Sequence, residues 1–203
     1  MKLMLGVPVG KLSVSVFWQH LFNFVMKSHI PLQIQSSNRV DLNRSAIIDT
    51  AMKGGYDVLM IDSDVIIESE ISEIKGYLDE DFKDRKVGAV VAPTVGVGGM
   101  LIAPAPPNKD REVWEVDYAG MGFVVIRNEV LQKLPVIAKY VSIGGQEVPM
   151  RAVYATNTSE DVMLCQAIKQ LGFKILVDSR IKVTHLQTEA LSYPESWDRG
   201  KHL

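Results

Sequence analysis

Four short apolar runs separated by three helical stripes occupy the first 92 residues, and this alternation leaves few folds open. Residues 2–7 form the first run, closed by Gly6 and Pro8 as a buried parallel strand would be. Residues 32–35, 58–61 and 87–92 form the others. Between the first two, Val14, Phe17, Trp18, Leu21 and Val25 recur at helical spacing, with Lys27 in the last turn and Pro31 just beyond. Ile47, Ile48, Ala51 and Met52 predict a second helix over 42–53, ended by Gly54-Gly55. Ile71, Ile74, Leu78 and Phe82 predict a third, capped by Ser69 and carrying Glu70 and Glu73 in its first turn. The expected class is α/β, with a mostly parallel central sheet covered by helices on both faces.

Residues 93–110 interrupt the rhythm with four prolines and three glycines and read as a loop, of a length often found in functional lids. Strands follow at 112–119 and 122–126, a short helix at 128–134, a variable stretch at 135–157, a helix at 159–171, and strands at 174–177 and 182–186. The tail 187–203 shows no periodicity. At 203 residues and 47% hydrophobic content the chain suits one domain with a full core. Its 22 basic and 24 acidic residues are mixed along the chain, for a net charge of −2, which argues against a nucleic-acid-coating role.

Cys165 is the only cysteine, so no intrachain disulfide forms. Residues 1–5 are too short an apolar start for a signal peptide. Gln19, His20 and Asn23 interrupt the most apolar stretch, 14–26, which is shorter than the ~20 residues of a membrane span. A cytoplasmic protein without a transmembrane segment is expected.

In Asp57-Val58-Leu59-Met60-Ile61-Asp62-Ser63-Asp64 an apolar strand delivers two carboxylates to its carboxyl end, the edge where open α/β sheets bind ligands. Residues two apart at a strand end point to one side, so Asp62 and Asp64 are expected to converge. Two close carboxylates repel unless a cation lies between them, and hard oxygen ligands suit Mg²⁺ or Mn²⁺ bound together with phosphate oxygens. The competing reading is a turn toward the next helix, since Asp and Ser are good turn formers. His185 shares the face of Ile181 and Val183; it reads either as a core histidine or as a third metal ligand beside the aspartates.

Thr158-Ser159-Glu160-Asp161 opens a helix with the stripe Leu164, Cys165, Ile168 and Leu171. Thr158 and Asp161 resemble a capping box. Asp161 also lies three residues before Leu164, on the inward face, whereas Glu160 is turned about 100° away. Asp161 is therefore the candidate general base and Glu160 a supporting contact. Gly120 and Gly122 sit between two apolar strands, where glycine permits a bulge or a close ligand. Asp117 and Trp114 precede them, Trp114 offering a sugar an apolar face. Gly96-Val97-Gly98-Gly99 lacks a dinucleotide-binding context and signals flexibility only. No nucleophile-elbow serine, Cys-x-x-Cys pair or phosphate-loop lysine motif occurs.

Taken in order, these pieces resemble the family 2 type of GT-A glycosyltransferase, a Rossmann-like fold. The resembling parts are Leu5-Gly6-Val7-Pro8, Arg44, Ile61-Asp62-Ser63-Asp64, Val116 to Phe123 with Ile126-Arg127, Glu160 to Cys165, and Gly172 to Asp178 closing on Val183-Thr184-His185-Leu186. The second helix reads Asn43-Arg44-Ser45-Ala46 where these proteins commonly have Ala-Arg-Asn-Ala. The resemblance implies one GT-A domain over residues 1–203: a nucleotide-sugar-binding half (1–92), an acceptor and catalytic half (111–186) and an irregular tail (187–203). Gly6, Val7 and Pro8 would border the nucleotide base, Arg44 would belong to the substrate site, and Asp62 and Asp64 would hold metal and sugar-nucleotide. Asp161 matches the base that deprotonates the acceptor, Glu160 its neighbour, and His185 the late histidine that completes the metal site.

The implied activity is transfer of a sugar, with inversion, from a nucleotide-diphosphate sugar to a hydroxyl of a glycan, lipid or protein acceptor, dependent on Mn²⁺ or Mg²⁺. Two rivals share the residues. A nucleotidyltransferase also uses carboxylate-held Mg²⁺ but wants a phosphate loop after the first strand, for which Gly10-Lys11 is a thin substitute. A glycosyltransferase-like scaffold without catalysis would have no reason to keep Asp62, Asp64, Asp161 and His185.

Overall fold

The computed structural model describes residues 1–9, 15–37, 39–94, 102–103, 111–141, 147–151 and 159–186. Most of the expected 93–110 loop, the Gly10-Lys11 pair, Thr158 and the 187–203 tail lie outside the described residues.

In chain order the elements are β1 (Leu3–Val9), α1 (Ser15–Ser28), β2 (Leu32–Ser36), α2 (Val40–Gly54), β3 (Asp57–Ile61), β4 (Val65–Ile67), α3 (Ile71–Asp81) and β5 (Val87–Val91). The second half adds β6 (Ile102–Ala103), β7 (Val113–Val116), β8 (Tyr118–Ala119), β9 (Phe123–Ile126), α4 (Asn128–Lys133), β10 (Val136–Val141), β11 (Glu147–Arg151), α5 (Glu160–Gln170), β12 (Lys174–Asp178) and β13 (Val183–His185). The seven-stranded sheet runs β2-β1-β3-β9-β5-β12-β7. Strand β1 pairs in parallel with β2 and β3, and β12 with β5; only β9, between β3 and β5, and β7, at one edge, run antiparallel. The mostly parallel α/β class expected from the alternation is the one observed.

Two cores flank the sheet. On one face Val58 and Met60 of β3 and Val124 and Ile126 of β9 pack beneath Ile47, Ile48 and Ala51 of α2, Val130 and Leu131 of α4, and Leu164, Cys165 and Ile168 of α5. On the other, Leu59, Ile61, Phe123 and Val125 meet Phe17 and Leu21 of α1 and Ile74 and Leu78 of α3. Period-two alternation along central strands thus serves both helical layers. Gly6 marks where α2 lies on β1: a Cβ there would sit 2.3 Å from Ile47 Cγ2. Gly55 ends α2 in the left-handed region at φ 67°, and its N–H caps the helix.

Several local expectations change. Residues 65–67, assigned to no element from the sequence, form β4, whose partner is β13. The variable stretch contains the hairpin β10–β11. Helix α3 is capped by Glu70 in a reciprocal box with Glu73, while the Ser69 hydroxyl accepts from Lys182 N–H at 2.9 Å. The cap of α5 is Ser159, whose hydroxyl accepts from Val162 N–H. Among the described residues no helix is long and apolar enough to cross a membrane.

Candidate active site

Strand β3 aims Asp62. Because Val58 and Met60 face the α2 and α5 layer, the next even-numbered residue does too. The Asp62 N–H donates to Gly122 O at 2.9 Å, and Val65 N–H donates back to Asp62 O at 3.1 Å, closing a turn. Within that turn Asp64 leaves the strand's alternation. Its side chain is 51% exposed, and His185 Nε2 lies 3.5 Å from its Oδ2. The β4–β13 ladder fixes this pair by setting His185 opposite Val65, and Leu186 N–H donates to Asp64 O at 2.6 Å. Asp62 and Asp64 line one cleft, and the charge of Asp64 acts on Asp62, but the two carboxylates take different partners.

The partner of Asp62 is Arg44. Helix α2 carries Arg44 on its inward stripe, three and four residues before Ile47 and Ile48, with its side chain only 2% exposed. Nη2 donates to Asp62 Oδ1 and Oδ2 at 2.8 and 3.1 Å. Nη1 donates to Asp161 and lies 3.7 Å from Glu160 Oε1. Burial disfavours the guanidinium charge, but Asp62 and Asp161 outweigh that and hold Arg44 above its ordinary pKa. Burial likewise raises the Asp62 pKa, Arg44 opposes the shift, and Asp161 and Asp64 add to it.

The first turn of α5 presents Glu160 and Asp161 together, and Asp161 points inward as its position before Leu164 predicts. A cleft of about 240 Å³ opens over this cluster, lined by Pro8, Val40, Arg44, Asp62, Ser63, Asp64 and Glu160. Carboxylates from the β3–β4 turn and from α5, a hundred residues apart in the chain, thus share one cleft and one buried cation.

The other sequence candidates fall in different places. Of Gly6, Val7 and Pro8 only Pro8 lines the cleft; Gly6 faces Ile47, and Val7 is fully buried in the α1 and α3 core. Trp114, 5% exposed, packs in the α5-side core rather than presenting a face to a ligand. Asp117 is exposed and pairs with Lys169. Gly120 is half-buried. Gly122 supports the Asp62 turn through its carbonyl, and a Cβ there would meet Thr94 Oγ1 at 3.2 Å and Val65 Cγ2 at 3.3 Å. Two further polar residues, noted in the sequence only as a departure from the family's pattern, anchor α2. Asn43 Nδ2 donates to Val9 O at 3.0 Å, and Ser45 Oγ to Arg151 O at 3.4 Å. The signal for them was present: three consecutive polar residues at the start of an otherwise inward-facing helical stripe.

Among the described residues no three His, Cys, Asp or Glu side chains gather closely enough to hold a metal ion by themselves. The donor set of Asp64 and His185 nevertheless fits Mn²⁺ or Mg²⁺, which bind few protein ligands when substrate phosphates and water complete the sphere.

Solved structures share this architecture. A197 from STIV is 21% identical and superposes with a TM-score of 0.63, over 92% of this chain and 86% of that one. GalNAc-T7 with UDP, GalNAc and Mn²⁺ is 14% identical with a TM-score of 0.52, over 89% of this chain and 37% of that one. UDP-glucose pyrophosphorylase complexed with UDP-glucose is 9% identical with a TM-score of 0.52, over 90% and 92%. No family model matches the chain, and no curated protein matches it. The chain thus shares its fold with both GalNAc-T7 and UDP-glucose pyrophosphorylase. What this chain does has to be argued from its site.

Proposed function

We propose that the protein is a divalent-metal-dependent glycosyltransferase, moving a sugar with inversion from a nucleotide-diphosphate sugar to an acceptor hydroxyl of a glycan, lipid or protein. The observation that carries this reading is that one buried guanidinium, Arg44, holds Asp161 of α5 together with Asp62 at the end of β3, at the cleft that Asp62, Asp64 and Glu160 line. Sugar transfer needs two kinds of carboxylate, one set serving the donor and one removing the acceptor proton.

Asp64 and His185 would hold the metal, and Asp62 faces the donor from the end of β3. A bound Mn²⁺ or Mg²⁺ neutralises the charge that develops on a leaving diphosphate. In the transfer the acceptor oxygen bonds to the anomeric carbon, the bond from that carbon to the diphosphate oxygen breaks, and the acceptor proton passes to Asp161. Nucleoside diphosphate and a protonated Asp161 result. General-base assistance of this kind contributes ~10²- to 10⁴-fold in rate. Glu160, in the cleft wall beside Asp161, contacts the acceptor.

The likeness to UDP-glucose pyrophosphorylase, equal in TM-score to that of GalNAc-T7, favours a second reading, a nucleotidyltransferase on the same carboxylates. That reaction gives Asp161 no acceptor hydroxyl to deprotonate. A thermal-shift screen of UDP-glucose, UDP-GalNAc, GDP-mannose, UTP and CTP, each with and without Mn²⁺, tests the proposal. A nucleotide-sugar at 100 times its Kd stabilises by about 2.7 kcal/mol, on the order of 5–10 °C for a chain of this size. A Mn²⁺-linked shift with UTP or CTP alone would favour the nucleotidyltransferase, and no Mn²⁺-linked shift with any of the five would leave only a binding scaffold.

A further inference from the structure

Arg44 stands in an unusual place for a substrate-binding arginine. It lies in the wall behind the carboxylates, 2% exposed, while the groups it touches are part-exposed: Asp62 31% and Glu160 29%, both lining the cleft, and Asp161 19%. Its planar fork divides between the two sides of the site, Nη2 spanning both oxygens of Asp62 and Nη1 taking Asp161. A lysine ammonium has three donors that rotate freely on a flexible stem and no planar fork to fix the angle between two carboxylates.

The helix that carries it is itself pinned. Asn43 ties α2 to the end of β1, Ile47 rests on Gly6, and Ser45 ties the helix to β11. Such a cluster is a poor stabilising device, since a buried ion pair commonly gives no more stability than apolar packing of the same volume. Placed among the three carboxylates of Asp62, Glu160 and Asp161 it has another effect, which is to fix where they point.

We propose that Arg44 is the positioning residue of this site: one buried guanidinium sets the orientation of Asp161 relative to Asp62, and thereby of the base relative to the donor. The proposal rests on the transferase reading. Misplacing reacting groups by about 1 Å costs on the order of 10²-fold in rate. Arg44→Lys keeps the charge but surrenders the fork, so the loss should appear in kcat and vanish once the base it aligns is gone.

The experiment is a double-mutant cycle of Arg44→Lys and Asp161→Asn. It measures Mn²⁺-dependent release of nucleoside diphosphate from whichever of UDP-glucose, UDP-GalNAc and GDP-mannose turns over fastest. Binding of the matching nucleoside diphosphate with Mn²⁺ is measured in parallel by calorimetry. Arg44→Lys is expected to lower kcat by about 10- to 100-fold in the wild-type background and by less than about threefold in the Asp161→Asn background, as residues acting as a unit do. Nucleoside diphosphate affinity should stay within about threefold of wild type. Equal losses in both backgrounds, an unchanged kcat, or a fall in affinity that matches the fall in kcat would each overturn the proposal. Arg44→Gln, which keeps a planar donor group, stands in if the lysine variant does not fold, with the same expected and overturning results. A wild-type protein that binds no nucleoside diphosphate with Mn²⁺ would instead overturn the transferase reading, and this inference with it.

Discussion

Gly6 allows a sharp test of how the site is held. A methyl group at this position would lie 2.3 Å from Ile47 Cγ2, whereas carbon atoms rest about 3.5–4.0 Å apart. Gly6→Ala must therefore push α2 away from β1 by roughly 1 Å, or force Ile47 from its rotamer; overpacking of this kind costs about 1–3 kcal/mol. Ile47 is fully buried, so the strain cannot escape to solvent. The same displacement would carry Arg44, three residues back on α2, out of hydrogen-bond range of Asp62, which it now meets at 2.8 and 3.1 Å. Urea unfolding should show a lower midpoint at unchanged slope. Ile47→Ala removes the opposing methyl, so adding Gly6→Ala to that variant should cost almost nothing, a coupling of about 1–3 kcal/mol. Wild-type stability in Gly6→Ala, or strictly additive losses in the double variant, would refute the packing account and return Gly6 to a role in approaching the nucleotide.

Other outcomes follow from particular side chains. Asp161→Asn should retain nucleoside diphosphate binding and lose ~10²- to 10⁴-fold in kcat; a fully active variant removes Asp161 from the mechanism. The Cys165 thiol is pushed up to about 11, chiefly by burial, with its Sγ near Ala119 O. It should resist a thiol reagent at pH 8 in the folded protein and react promptly in urea, and fast labelling of the native protein would contradict its place in the core. Burial and the adjacent Asp178 push Asp81 up to about 7 against the pull of Arg180. The folded chain thus holds this proton more tightly than the unfolded one, so the stability it contributes is complete below about pH 4 and is lost as pH rises through about 7. Asp81→Asn should therefore gain on wild type between pH 4 and 8 in urea midpoints, and parallel pH profiles for the two proteins would count against it.

What the sequence made legible was whatever depended on periodicity. The apolar alternation of Val58 to Ile61 and the stripes of α1 to α3 and α5 are written in residue spacing, and the sheet follows from them. Asp161 was placed inward by its distance from Leu164, and it is inward. Directions set by turns were not legible. The end of the strand at Ile61 is legible, but nothing in Asp62-Ser63-Asp64 says that β4 then pairs with β13, which is why Asp64 meets His185 and Asp62 does not. Trp114 and Gly6 were read for their chemistry, while their surroundings assign them to packing. The partner of Asp62 lies 18 residues upstream on another element, and the spacing alone could not pair them.

The central claim is that this cleft transfers a sugar by means of Asp64 and a metal. The most direct measurement is product analysis, with the fastest donor, Mn²⁺ and an acceptor mixture of glycans, comparing wild type with Asp64→Ala. The account predicts release of nucleoside diphosphate that needs Mn²⁺ and disappears in Asp64→Ala. Pyrophosphate as the product, or nucleoside diphosphate released undiminished by the Asp64→Ala protein, would contradict it.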